Sequence, residues 1–131
     1  MKPEILYFLT ADSAIQEGTT NKYSLIGIFD NLNMPSDGTS VVVPNFVMYF
    51  KILNSEGTEN VEVEIVTPTG VSLTKMPIVA DKPTKENNLT VAVLLQNIEF
   101  ETEGEYEVKI RVNNIELTPV VNQSLSVVKV S

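Results

Sequence analysis

Between Glu105 and Val112 the chain alternates without a break. Tyr106, Val108, Ile110 and Val112 are apolar, and Glu105, Glu107, Lys109 and Arg111 between them are charged. A period of two belongs to a strand with one dry and one wet face, because successive side chains leave a β-strand on opposite sides. The rhythm recurs along the chain. Val61, Val63 and Ile65 alternate with Glu62 and Glu64, and Phe46, Met48, Phe50 and Ile52 oppose Val47, Tyr49 and Lys51. Leu89, Val91, Val93 and Leu95 make a further inward row, while Ala92 and Leu94 leave its outer side apolar too. Stretches near 4–14 and 22–32 are apolar on both sides, which suits a mid-sheet place or cover by a loop. A last strand is expected from about Gln123 to Val130, with Leu125 and Val127 on one side.

Turn chemistry separates these runs. Glu17-Gly18 and Asn21 lie between the first two, and Ser55-Glu56-Gly57 and Thr67-Pro68-Thr69-Gly70 end later ones. In the latter, proline pre-sets one torsion and glycine is free to take positive φ, as a β-turn requires. Asn113-Asn114 suits a tight hairpin. Helical periodicity is confined to one turn near Pro83–Asn87. The pattern predicts an all-β chain: an immunoglobulin-like β-sandwich of about seven antiparallel strands, with residues 1–131 forming a single domain. Two connections, Asn31 to Asn45 and Lys75 to Asn88, are longer than a sandwich needs and are places where binding or a crossing between sheets is expected.

Phe100-Glu101-Thr102-Glu103-Gly104-Glu105-Tyr106 is the most fold-diagnostic segment. An acid-x-Gly-x-Tyr pattern opening an alternating strand resembles the tyrosine corner of immunoglobulin-like domains, where the hydroxyl bonds back to the chain upstream. Phe100, Gly104 and Tyr106 are the expected corner residues. Two residues after the tyrosine, where antibody-type domains carry a half-cystine, this chain has Val108, so apolar packing must replace the inter-sheet bridge.

Several chemistries are closed off by composition. The chain holds no cysteine, so it has no disulfide, thiol nucleophile or thiolate metal site, and no histidine, the commonest general base at neutral pH. Seventeen acidic against nine basic residues give a formal charge of −8, which repels phosphate backbones and anionic membranes. The expected partner is therefore a protein, a second copy of the chain included, and neither nucleic acid nor membrane. The apolar run from Ile5 to Leu9 falls short of the roughly 7–15 residues of a secretory core, and no stretch reaches the roughly 20 of a membrane-spanning helix. A cytoplasmic location is expected, and the glycosylation patterns at Asn88-Leu89-Thr90 and Asn122-Gln123-Ser124 then carry no meaning.

Within Leu25-Ile26-Gly27-Ile28-Phe29-Asp30, a glycine interrupts an apolar strand that ends on a lone acid. If the stretches near 4–14 and 22–32 form a hairpin about the turn at Gly18, Asp12 lies roughly opposite Gly27 and Asp30 falls near Leu9. A glycine inside a strand then reads as a bulge, or as room for a neighbour lying over it. Asp30 reads as a turn-forming acid. By alternation the two aspartates point to opposite sides, unlike an acid and base working across one bond, whose carboxyls face each other about 5–10 Å apart. Calcium would need converging oxygens. Asp37, Asp81 and Glu103 are loose candidates for a C2-like site, but no D-x-D run is present. No G-x-S-x-G elbow occurs, and the few glycines are isolated in turns rather than gathered into a phosphate loop.

One combination is more specific. Thr10-Ala11-Asp12-Ser13-Ala14 is followed by a short polar loop and Ser24-Leu25-Ile26-Gly27-Ile28-Phe29-Asp30, then by the strand and turn from Val61 to Gly70 and the corner from Phe100 to Tyr106. In that order these pieces resemble a family of small uncharacterised bacterial and phage-associated proteins, a domain of unknown function with ADSA and GIFD as its best signature. The resemblance implies an intracellular immunoglobulin-like sandwich. It transfers no active site, and Asp12, Gly27 and Asp30 stand as signature residues without an assigned role. The expected function is a non-enzymatic binding or assembly module, with no catalytic residue, cofactor or metal. The rivals are a carboxylate-based hydrolase of a neutral substrate and a calcium-dependent binding module.

Overall fold

In the computed structural model, which describes residues 3–18, 22–53, 60–78, 88–117 and 123–130, every regular element is a β-strand. β1 (Glu4–Gln16) turns back into β2 (Tyr23–Phe29), and a single residue, Asp30, separates β2 from β3 (Asn31–Pro35). Then come β4 (Val41–Leu53), β5 (Val61–Val66), β6 (Ser72–Ile78), β7 (Leu89–Phe100), β8 (Gly104–Val112), the two-residue β9 (Ile115–Glu116) and β10 (Ser124–Val130). One sheet has the order β2-β1-β4-β7; the other runs β3-β10-β8-β5-β6, with β9 alongside β8. The architecture is a β-sandwich.

Ten strands form among the described residues, where about seven were expected, and the pairing is not wholly antiparallel, because β3 runs parallel to β10. The cause lies at Asp30. The single apolar run from 22 to 32 feeds two sheets: β2 pairs with β1, and one residue later β3 joins β10, where Ser126 N–H donates to the Asp30 carbonyl at 3.1 Å. β6 went unread because Ser72–Ile78 has no clean alternation and contains Pro77.

The expected long connection from Asn31 to Asn45 is mostly strand, and only residues 36–40 join β3 to β4. The reading failed because the alternation slips. On β4 the inward residues are Val41 and Val43, then Phe46, Met48, Phe50 and Ile52; on β7 they are Leu89, Val91, Val93 and Leu95, then Ile98 and Phe100. Both strands slip at one place, so the register is kept, from Val43↔Ile98 to Phe46↔Leu95. Pro44 and Asn97, the latter at φ 54°, stand at the slip. β1 has stopped pairing with β4 by then, at Ala11↔Val47, so Pro44 occupies a half-edge where a missing N–H is tolerated. Of the second connection, Lys75–Ile78 belongs to β6, while residues 79–87, with the turn near Pro83, lie outside the described residues, as does the turn at 55–57.

One apolar cluster joins the two sheets. Phe46, Phe50 and Phe100 are fully buried, Phe8 nearly so, and Phe29 packs against them, so all five phenylalanines of the chain meet the core. Val61, Val63, Ile65, Tyr106, Val108, Ile110 and Val112 close it from the second sheet. Burial at about 25 cal/mol per Å² of apolar surface is enough for such a core to hold without a disulfide. No helix among the described residues is long and apolar enough to cross a membrane.

Candidate functional site

The ladder between β1 and β2 passes from Ala11↔Ile28 to Ser13↔Ile26, which sets Asp12 opposite Gly27. Gly27 takes φ +70°, and a Cβ on it would come within 2.8 Å of Asp12 Cγ. The Asp12 side chain lies directly over the glycine. Next to this pair, the buried Thr10 hydroxyl donates to the Phe29 carbonyl.

What the pair accomplishes is visible further out. Tyr23 pairs with Gln16, seven residues beyond Leu9, and Leu9 is the partner of Tyr49. In a flat sheet that offset is about 23 Å at about 3.3 Å per residue. Instead the Tyr23 and Tyr49 rings lie 5.3 Å apart between centroids. The end of the β1–β2 hairpin therefore doubles back over the outer face of its own sheet. Tyr7 also stacks on Tyr49, at 5.6 Å and 19°, with its hydroxyl 3.4 Å from that of Tyr49. Burial, helped by the Tyr7 hydrogen bond, pushes the Tyr49 phenol up to about 12. Beneath the hairpin runs an open groove of about 430 Å³, bordered by Asp12, Gln16 and Tyr23 above and by Asn45, Val47 and Leu94 below. Val47, outward by its parity, is buried there.

Sequence reasoning missed this tyrosine cluster. Alternation placed Tyr49 on the outer face, but nothing periodic brings residue 23 to residue 49. The signal was distributional. The phenylalanines all go to the core, while three of the four tyrosines occupy the outer face and the fourth is Tyr106.

Asp30 sits apart from Asp12. It is exposed where the chain changes sheet, accepts from Asn31 Nδ2 at 2.8 Å, and borders a separate depression with Leu9, Ile28 and Ser124. At the corner, the Tyr106 hydroxyl donates to the Thr102 carbonyl at 2.7 Å and accepts from Thr102 N–H at 3.1 Å. The Phe100 ring meets that of Tyr106 edge-on at 5.1 Å. Gly104, at φ +132°, lies against Pro68 of the Thr67–Gly70 turn, where a Cβ would approach Pro68 Cγ to 2.8 Å. The turn itself closes through Gly70 N–H to the Thr67 carbonyl at 2.9 Å.

A family model matches residues 6–121, a span that includes Asp12, Gly27, Asp30 and the whole corner. The chain belongs to DUF6941, a family of unknown function. No curated protein matches it.

The DUF6941 chain carries its ordered charges on the outer face of the second sheet. Arg111 reaches Glu62 at 3.1 Å, Glu64 at 2.9 Å and Glu116 at 3.7 Å, and Lys75 reaches Glu62 at 3.7 Å. Hydrogen bonds from Arg111 and Ser72 hold the Glu64 carboxyl below the usual glutamate range. Ser126 and Lys129 stand at S-x-x-K spacing, and so, beside this network, do Ser72 and Lys75. In this DUF6941 chain the latter two lie on a strand and turn to glutamates rather than to each other as nucleophile and base. Among the described residues no three acids gather to hold a metal ion; Asp37 and Glu103 lie apart on turns, and Asp81 is outside the described residues.

The strand edges differ sharply in exposure to new pairing. Edge strand β6 contains Pro77 and Lys75, β3 is five residues long and ends in Pro35, and β2 is broken at Gly27. Proline, lysine, shortness and kinks are the ordinary means of blunting an edge. β7 has none of them from Leu89 to Gln96, and among the described residues only β4 pairs with it.

Proposed function

We propose that this DUF6941 chain is a non-enzymatic, immunoglobulin-like binding or assembly module of the bacterial and phage-associated kind, acting in the cytoplasm and recognising a protein through the open edge of β7. The immunoglobulin-like part is supported by the corner at Tyr106 on β8 and by the neighbours β4–β7 in one sheet and β5–β8–β10 in the other. These neighbours match B–E and C–F–G of that fold, with β1 beside β4 in the place of strand A. A protein partner rather than nucleic acid or membrane suits the charge of −8.

The observation that carries the reading is the contrast among edges. Three are blunted, while the twelve-residue β7 pairs, among the described residues, with β4 alone and offers its other row of main-chain donors and acceptors. An extended segment added there gains affinity from backbone hydrogen bonds and specificity from the side chains beside it. Asp12 and Asp30 border different depressions, which favours a module over chemistry between two carboxyls. The test compares capture from a native-host lysate by the wild type and by Ala92→Lys, a charge placed on the edge strand at an exposed position. Partners held by the wild type and lost by the variant support the reading; capture unaltered by the lysine overturns it.

A further inference from the structure

We infer that the strand accepted at β7 is a basic one: an extended segment of a partner protein that sets an apolar side chain between the two sheets and a lysine or arginine against Glu99 and Glu101. The inference rests on the reading of β7 as the recognition edge and names the chemistry of its occupant.

The sandwich is open where two of its edge strands face each other. β7 ends one sheet and β6 the other. Between them lies a crevice of about 450 Å³, walled by Leu73 and Thr74 of β6 and by Leu95, Ile98 and Glu99 of β7, with Glu101 just beyond the strand. Leu73, Leu95 and Ile98 pack against the core, so the crevice has an apolar floor. A strand laid along β7 continues its sheet, and its side chains alternate between the outer face and the space between the sheets. The inward residue level with Leu95 therefore enters the crevice, and an apolar one removes that floor from water.

Charge decides what accompanies it. Glu99 and Glu101 are exposed and make no ion pair among the described residues, whereas Glu62, Glu64 and Glu116 are matched by Arg111, Lys75 and Lys109. The two open an alternating run of acids, Glu99, Glu101, Glu103, Glu105 and Glu107, and from Glu86 to Val108 there is no lysine or arginine. From Leu89 to Gln96 the edge itself is uncharged, so the preference comes from this end of the strand. An acidic segment is repelled there and a cationic one attracted, which favours encounter with basic strands and suppresses the rest.

The experiment selects binders to the full chain from a library of random peptides of about ten residues, long enough to lie along a strand. Enriched peptides are expected to carry an apolar residue close to lysine or arginine. One of them is then titrated by fluorescence anisotropy against four proteins. These are the wild type, Ala92→Lys, the pair Glu99→Gln with Glu101→Gln, and the pair Glu4→Gln with Glu17→Gln, which removes the same charge elsewhere. All these sites are exposed, and folding is checked by circular dichroism. Loss of the two crevice carboxylates should raise Kd about three- to tenfold at low ionic strength and flatten its salt dependence, while the other glutamine pair stays close to wild type. Selected peptides without enrichment in lysine or arginine overturn the basic occupant, and so do two glutamine pairs that weaken binding equally. If Ala92→Lys abolishes binding in either case, the edge reading survives that loss. Binding that Ala92→Lys leaves unaltered overturns the edge reading, and a library that yields no binder overturns both.

Discussion

The carboxylate of Asp12 fills the space that a side chain on Gly27 would need. Two costs would fall on any substitution at 27: the collision, and a backbone at φ +70° that L-residues adopt at a cost of about 1–3 kcal/mol. Gly27→Ala is expected to lose stability in that range, measured by urea unfolding. Removing the carboxyl with Asp12→Ala should recover the collision share and leave the backbone share. Equal losses from Gly27→Ala in both backgrounds would show that contact with Asp12 is not the cause.

Tyr106 ties the corner through one oxygen. Its hydroxyl both donates to and accepts from Thr102, while its ring packs on Phe100. Tyr106→Phe keeps the ring and removes both bonds, each worth about 0.5–1.5 kcal/mol net. A loss of about 1–3 kcal/mol with an unchanged denaturant slope is expected. Phe100→Ala empties a fully buried site and should cost more, about 3–5 kcal/mol.

How far the sequence disclosed this molecule varies from strand to strand. β5 and β8 were legible because each has one dry and one wet face, so their charges mark the outside and their valines the inside. The Asp12–Gly27 opposition was legible only roughly, because register is counted from the turn and the hairpin closes between Glu17 and Lys22, beyond a centre at Gly18. β3 was lost because one apolar run crosses from sheet to sheet at Asp30, and hydropathy does not register a change of sheet. The start of β4 was lost because the slips at Pro44 and Asn97 cancel across the ladder, which keeps the pairing while breaking the period in each strand. The tyrosine cluster and the groove were out of reach for a further reason. They depend on the doubling back of the β1–β2 hairpin, a tertiary event that leaves only a glycine and an aspartate in the local sequence.

Acid should weaken the fold through Glu64. Arg111 lowers its folded pKa below the ordinary 4.5, so the unfolded chain takes up the proton more readily. The stabilisation is full above about pH 4.5 and disappears as pH falls through the lower folded value. Glu64→Gln keeps an acceptor for Arg111 but does not titrate. The stability gap between wild type and Glu64→Gln is expected to be constant above about pH 4.5 and to shrink below it. A gap that widens on acidification would reverse the sign of the coupling.

Alkali should act through Tyr49. Its folded pKa of about 12 stands above the ordinary 10.0, because burial under the doubled-back hairpin disfavours the phenolate and Tyr7 bonds to the neutral hydroxyl. A raised pKa means that the folded state holds its proton longer than the unfolded one, so stability is full below pH 10 and declines as pH rises toward 12. Tyrosinate absorbance should accordingly show a late-titrating phenol that disappears in Tyr49→Phe, whose unfolding free energy should fall less steeply over that interval. The same titration reports on the hairpin. Tyr23→Ala uncovers one side of the Tyr49 ring, and Gly27→Ala strains the hinge that brings Tyr23 there, so both should move the late phenol back toward 10. If Tyr23→Ala leaves it near 12, the burial of Tyr49 does not come from the hairpin, and the doubling back has no influence on the outer face at that point.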